Sequence, residues 1–90
     1  MKIELYMVPE DEKGRLIKEF LIKNNLPFKE IITDDINLLN KARQARLNIK
    51  KSLLKVTYSH SIHIIGYNEF DLNQLLEHIE KYKPKIKTDF

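Results

Sequence analysis

Apolar and polar residues alternate from the start of the chain. In Lys2-Ile3-Glu4-Leu5-Tyr6-Met7 the apolar Ile3, Leu5 and Met7 fall on one side, a period of two that specifies a strand. The period then changes. Leu16, Ile17, Phe20 and Leu21 recur at helical spacing, with Arg15, Lys18, Glu19 and Lys23 between them. Asn24-Asn25 can end this helix, and Pro27 forbids its continuation. Phe28 to Ile32 reads as a second strand. Asp34 or Asp35 can cap a second helix, with Ile36, Leu39, Ala42 and Ala45 toward the core and Lys41, Arg43 and Arg46 toward solvent. Leu53 to Ser59 and Ser61 to Ile65 read as a hairpin turning at His60. Gly66-Tyr67-Asn68 breaks the pattern. Asp71-Leu72-Asn73-Gln74 then reads as a capping box that opens a third helix, striped by Leu72, Leu75, Leu76 and Ile79. Lys81 to Phe90 is a basic tail expected to fray.

The predicted order is β-α-β-α-β-β-α. A strand, helix, strand unit makes a parallel pair, and a hairpin adds antiparallel strands, so the expected class is α/β with a four-stranded mixed sheet and three helices over both faces. Ninety residues make one domain, placed at residues 1–80 with the tail at 81–90. The chain has no run of about 18 apolar residues, so no membrane span is expected. It also lacks a signal-peptide pattern, which leaves the cytoplasm as the default compartment. With no cysteine there is no disulfide, thiolate metal site or thiol redox chemistry. The net charge of +3 mildly favours an acidic partner.

The charged turn Met7-Val8-Pro9-Glu10-Asp11-Glu12-Lys13-Gly14-Arg15 lies between the first strand and first helix, a common place for chemistry. Asp11 and Glu12 could be an acid-base pair. The simpler reading is that they complement the positive end of the helix, since adjacent side chains splay apart. His60, His63 and His78 could converge on a metal, but no carboxylate or thiolate pattern accompanies them, and none is expected to bind one. Ser59 and Ser61 beside His60 lack any third member of a nucleophilic set. The strongest positive feature is the basic run Lys41, Arg43, Arg46, Lys50, Lys51 and Lys55, with no acid among them. Such a cluster can contact phosphate, though without interleaved aromatics for base stacking.

Three segments together resemble the glutaredoxin branch of the thioredoxin fold. Asn25-Leu26-Pro27-Phe28-Lys29-Glu30-Ile31 is similar to the family's G-I-P-F-E-E-I before its second strand, His63-Ile64-Ile65-Gly66-Tyr67 to its H-I-G-G-Y turn, and Lys2 to Tyr6 to its first strand. Counting back from Pro27 without a gap, the family's C-P-Y-C motif falls on Asp11-Glu12-Lys13-Gly14. The resemblance covers nearly the whole chain and implies the thioredoxin-like fold. It also implies a ligand or partner turn at Asp11, Glu12, Lys13, Gly14, Leu53, Leu54, Ile65 and Gly66.

The departures set the functional expectation. Both cysteine positions are changed, and a carboxylate cannot exchange disulfides. The family's cis-proline turn reads Ser52-Leu53-Leu54 here; a cis bond before Leu54 would cost roughly 3 kcal/mol, so a trans bond is expected. Ile65 replaces the first glycine of the pair and narrows the groove. Glu69 and Asp71 would repel a glutathione carboxylate. The expectation is therefore a cysteine-free, redox-inactive domain that binds another protein, with no cofactor and no glutathione. A nucleic-acid-binding protein using residues 41–55 and a non-redox enzyme at the Asp11 turn are the alternatives.

Overall fold

A computed structural model describes residues 1–82. The elements follow the order β1 (Lys2–Met7), α1 (Glu12–Lys23), β2 (Lys29–Ile32), α2 (Ile36–Arg43), β3 (Leu53–Thr57), β4 (Ser61–Ile65) and α3 (Glu69–Tyr82). The four strands form one sheet in the order β2-β1-β3-β4. β1 and β2 are parallel, whereas β3 runs antiparallel to both of its neighbours, β1 and β4. This is the expected α/β, thioredoxin-like arrangement.

The sheet has two unequal cores. On one face Ile3 and Leu5 of β1, with Leu54, Val56 and Ile64, meet Ile17 and Leu21 of α1 and Leu72, Leu75 and Ile79 of α3. On the other, the eight residues of α2 cover a smaller cluster of Tyr6, Leu53, Val8 and Ile31, through Leu39 and Ala42. Beyond α2 this second face turns polar. Glu4 is buried there beside Lys2, at 3.5 Å, and lies in register between Lys29 and Lys55. A buried carboxylate needs such neighbours. Burial, and Glu4 next to it, push the Tyr6 phenol above its ordinary value.

The helix ends explain where the boundaries fall. α1 closes in a Schellman motif: Leu26 N–H donates to the Leu21 carbonyl and Asn25 N–H to that of Ile22, with Asn25 left-handed at φ 56°. α2 is capped by Asp35, whose carboxylate accepts from Asn37 N–H at 2.9 Å. It ends through a left-handed Gln44, so Ala45 lies outside the helix and is exposed. Three other expectations are corrected. The third strand stops at Thr57, because Tyr58 N–H donates to the His60 carbonyl and closes the turn. α3 starts three residues earlier than its apolar stripe suggested: Asn68 is the cap, accepting from Asp71 N–H at 3.1 Å, so Asp71 lies in the first turn. Leu16 is exposed and Leu76 only half-buried, each at the margin of its helix's apolar stripe. α3 runs two residues into the predicted tail, whose remaining positions lie outside the described residues.

Leu75 and Leu76 should therefore differ. Leu75→Ala should cost about 2–5 kcal/mol in denaturant unfolding, and Leu76→Ala clearly less, since part of its surface already faces water.

Candidate functional site

The turn after β1 is fixed by its own backbone. Asp11 N–H donates to the Val8 carbonyl at 3.1 Å, with Pro9 and Glu10 at the corners. Glu10 has φ 65°, the positive value that the corner after proline in a type II turn demands and that favours glycine. The turn delivers Asp11 to the N-cap of α1. One carboxylate oxygen accepts from Lys13 N–H at 3.1 Å, the usual capping bond. The other accepts from the backbone N–H of Ser52 at 3.0 Å, on the segment leading into β3.

Ser52 is the point at which three segments are tied together. It is fully buried. Its N–H is held by Asp11, its hydroxyl oxygen accepts from Val8 N–H at 3.0 Å, and its carbonyl accepts from Gly66 N–H at 2.8 Å. Gly66 is left-handed at φ 74°, so the turn after β4 favours glycine. Gly14, in the first turn of α1, lies directly over Ser52. A Cβ at position 14 would overlap the Ser52 hydroxyl and stand 2.9 Å from Met7 Cγ. Asp11, the residue before Leu53, and Gly66 thus meet at one end of the sheet.

Their convergence makes a closed joint. Leu53 and Leu54 are fully buried, one in each core, and cannot line a groove. Their peptide is trans, like every described peptide bond. Gly14 is buried; Glu12, Lys13 and Ile65 are the exposed parts of the set. Partial burial pushes the Asp11 carboxyl up, but the hydroxyl and N–H of Ser52 and the N–H groups of Lys13 and Gly14 hold it, on balance, below its ordinary value. Asp11 is therefore ionised at neutral pH and poorly suited to take a proton. Because its folded-state value is lowered, its contribution to stability is present at neutral pH and lost as pH falls through that value. Ser52 itself was not legible as a site residue, since its partners Asp11 and Val8 lie 41 and 44 positions away.

The basic run does not form one patch. Arg43 is buried, contrary to its expected place on the outer side of α2. Its guanidinium donates to the carbonyls of Leu47, at 2.9 Å, and Ile49, at 3.1 Å, and to the Asn40 side chain, so it holds the loop between α2 and β3 in shape. Lys55 is half-buried in β3 opposite Glu4. Lys41, Arg46, Lys50 and Lys51 are exposed. Lys41 and Arg46 border a wide, open depression of about 890 Å³, together with Asn37, Asn40, Gln44 and Asn48.

The histidines do not converge. His63 bonds the Ala42 carbonyl at 3.0 Å on the α2 side, while His60 and His78 meet edge-on near Tyr58 at the hairpin, with ring centroids 6.4 Å apart. Among the described residues no group of three or more His, Cys, Asp or Glu could hold a metal ion. Ser59 and His60 are neighbours at 3.2 Å on an exposed turn. No helix among the described residues is long and apolar enough to cross a membrane. No family model matches the chain, and comparisons with curated proteins and with solved structures find no match either.

Removing the Asp11 carboxylate strips two backbone N–H groups of their acceptor. Asp11→Ala should cost about 1–3 kcal/mol in urea unfolding at pH 7. The difference from wild type should shrink as the pH is lowered. Gly14→Ala should also destabilise, by about 1–3 kcal/mol, because Ser52 has nowhere to move.

Proposed function

We propose that this chain is a non-catalytic, cysteine-free domain of glutaredoxin-like type that works by binding another protein. The observation that carries the reading is the state of Asp11. At the position where the resembling family has its nucleophilic cysteine, both carboxylate oxygens already accept backbone N–H groups. A thiolate at a helix N-terminus is stabilised by such groups and remains free to attack. Here the same electrostatics hold a carboxylate that ties α1 to β3. The joint is closed by the buried Ser52, Leu53 and Leu54, and Glu12 beside it adds an exposed negative charge. A non-redox enzyme at this turn gains little support, since a carboxylate below its ordinary value is a weak base. For a chain without cysteine the cytoplasm is the compartment this reading favours.

Nucleic acid is the second reading, favoured by the exposed cations Lys41, Arg46, Lys50 and Lys51. The depression beside α2 has no aromatic lining, so contacts there would be made to phosphate and would be indifferent to sequence. Lys50→Glu with Lys51→Glu should then abolish binding in a mobility shift, and added salt should weaken it steeply in the wild type.

The binding-module reading is tested with glutathione. The purified protein should not reduce a mixed disulfide in the presence of glutathione, and calorimetry should detect no saturable glutathione binding in the micromolar range. Turnover in the first assay, or a micromolar isotherm in the second, would contradict it.

A further inference from the structure

β4 is an edge strand, and among the described residues no strand pairs with its outer side. The sheet's two edges differ. β2, Lys29-Glu30-Ile31-Ile32, follows Pro27 and carries both signs of charge, the usual protection of an edge. β4, Ser61-Ile62-His63-Ile64-Ile65, carries neither lysine, acid nor proline. Its pairing fixes which groups face outward. The flanking bonds, Gly66 N–H to Ser52 and Tyr58 N–H to His60, make the even-numbered positions the hydrogen-bonded pairs with β3. Ser61, His63 and Ile65 therefore turn their backbone N–H and C=O away from the sheet.

A groove of about 360 Å³ runs beside this edge, between β4 and α3. Ile62, Ile64 and Leu75 give it an apolar floor, and Asp71, Gln74 and His78 border it. α3 supplies four acids and no lysine or arginine between Glu69 and Glu80. We infer that the β4 edge accepts an extended peptide strand from a protein partner, with one apolar side chain on the groove floor and a basic side chain two residues away against Asp71. Strand addition supplies main-chain bonds, and alternate side chains supply selectivity. Asp71, the acid on the rim, selects the basic side chain by charge. A second copy is the poorer fit, because β4 offers no basic side chain to the groove of its partner. The inference rests on the protein-binding reading and adds the place and the chemistry of the bound segment.

Two features make the test clean. Proline is tolerated where a strand's N–H faces away from its sheet, so His63→Pro should leave the β3 pairing intact while removing one bond to an added strand. His63→Ala controls for the loss of the imidazole contact with the Ala42 carbonyl. The probe is a capped peptide, threonine-isoleucine-threonine-lysine-threonine, titrated into ¹⁵N-labelled full-length protein. Saturable shift changes are expected at residues 61–65 and along residues 71–78 of α3, with slowed amide exchange at His63 and Ile65. Glutamate in place of the lysine should weaken binding about threefold to fivefold, and Asp71→Lys should reverse that preference. His63→Pro should weaken it by more than about fivefold, and His63→Ala should not. Shift changes confined to the Asp11 turn would overturn this placement while sparing the protein-binding reading; no saturable change would overturn it outright. Concentration-dependent dimerisation lost in His63→Pro would assign the edge to a second copy and also overturn it.

Discussion

One carboxylate sets the geometry at the upper end of the sheet. Asp11 must cap α1, because a helix N-terminus leaves N–H groups without partners. Its second oxygen reaches the Ser52 N–H, and so decides where the chain begins β3. From there the dependence spreads outward. The Ser52 hydroxyl fixes the end of β1 through Val8, and its carbonyl fixes the turn after β4 through Gly66. Gly14 is then required, because only a residue without Cβ lets α1 lie this close. Under the glutaredoxin-like reading proposed above, this is where the chemistry would be performed. Here the same positions form a joint.

The surface left outside that joint is electrically divided. The loop after α2 carries Arg46, Lys50 and Lys51 into solvent, and Arg43, buried beneath it, holds the loop from inside. α3, on the opposite face of the sheet, is acidic. A mild net charge of +3 conceals this separation. Binding to either surface would owe much of its association rate to charge, and would weaken in salt.

Much of the fold was legible because its signals are local. The alternation of Lys2 to Met7, the helical stripes and the break at Gly66 placed all seven elements in order, and the β-α-β unit with a hairpin implied a mixed sheet. What escaped notice depends on contacts distant in sequence or on packing geometry. Tyr6 is buried because α2 covers the second face of β1, which a period of two cannot reveal. Arg43 follows the helical pattern of an exposed cation, yet the loop folds back over it. Asn68 was available as a cap, three residues before Asp71, but the apolar stripe drew the start of α3 too late. The candidate site was legible only in outline: Asp11 and Gly66 were marked, while the serine that joins them has no local signature. The open side of β4 depends on strand order, which no single segment encodes.

The central claim is that Asp11 is an ionised structural acceptor shared by α1 and β3. A carboxyl-detected NMR titration of the full-length protein tests it most directly. The Asp11 carboxyl should titrate below an ordinary aspartate, and the amide signals of Lys13 and Ser52 should move with the same midpoint. An Asp11 that titrates at or above the ordinary value, with a Ser52 amide that does not respond, would contradict the account.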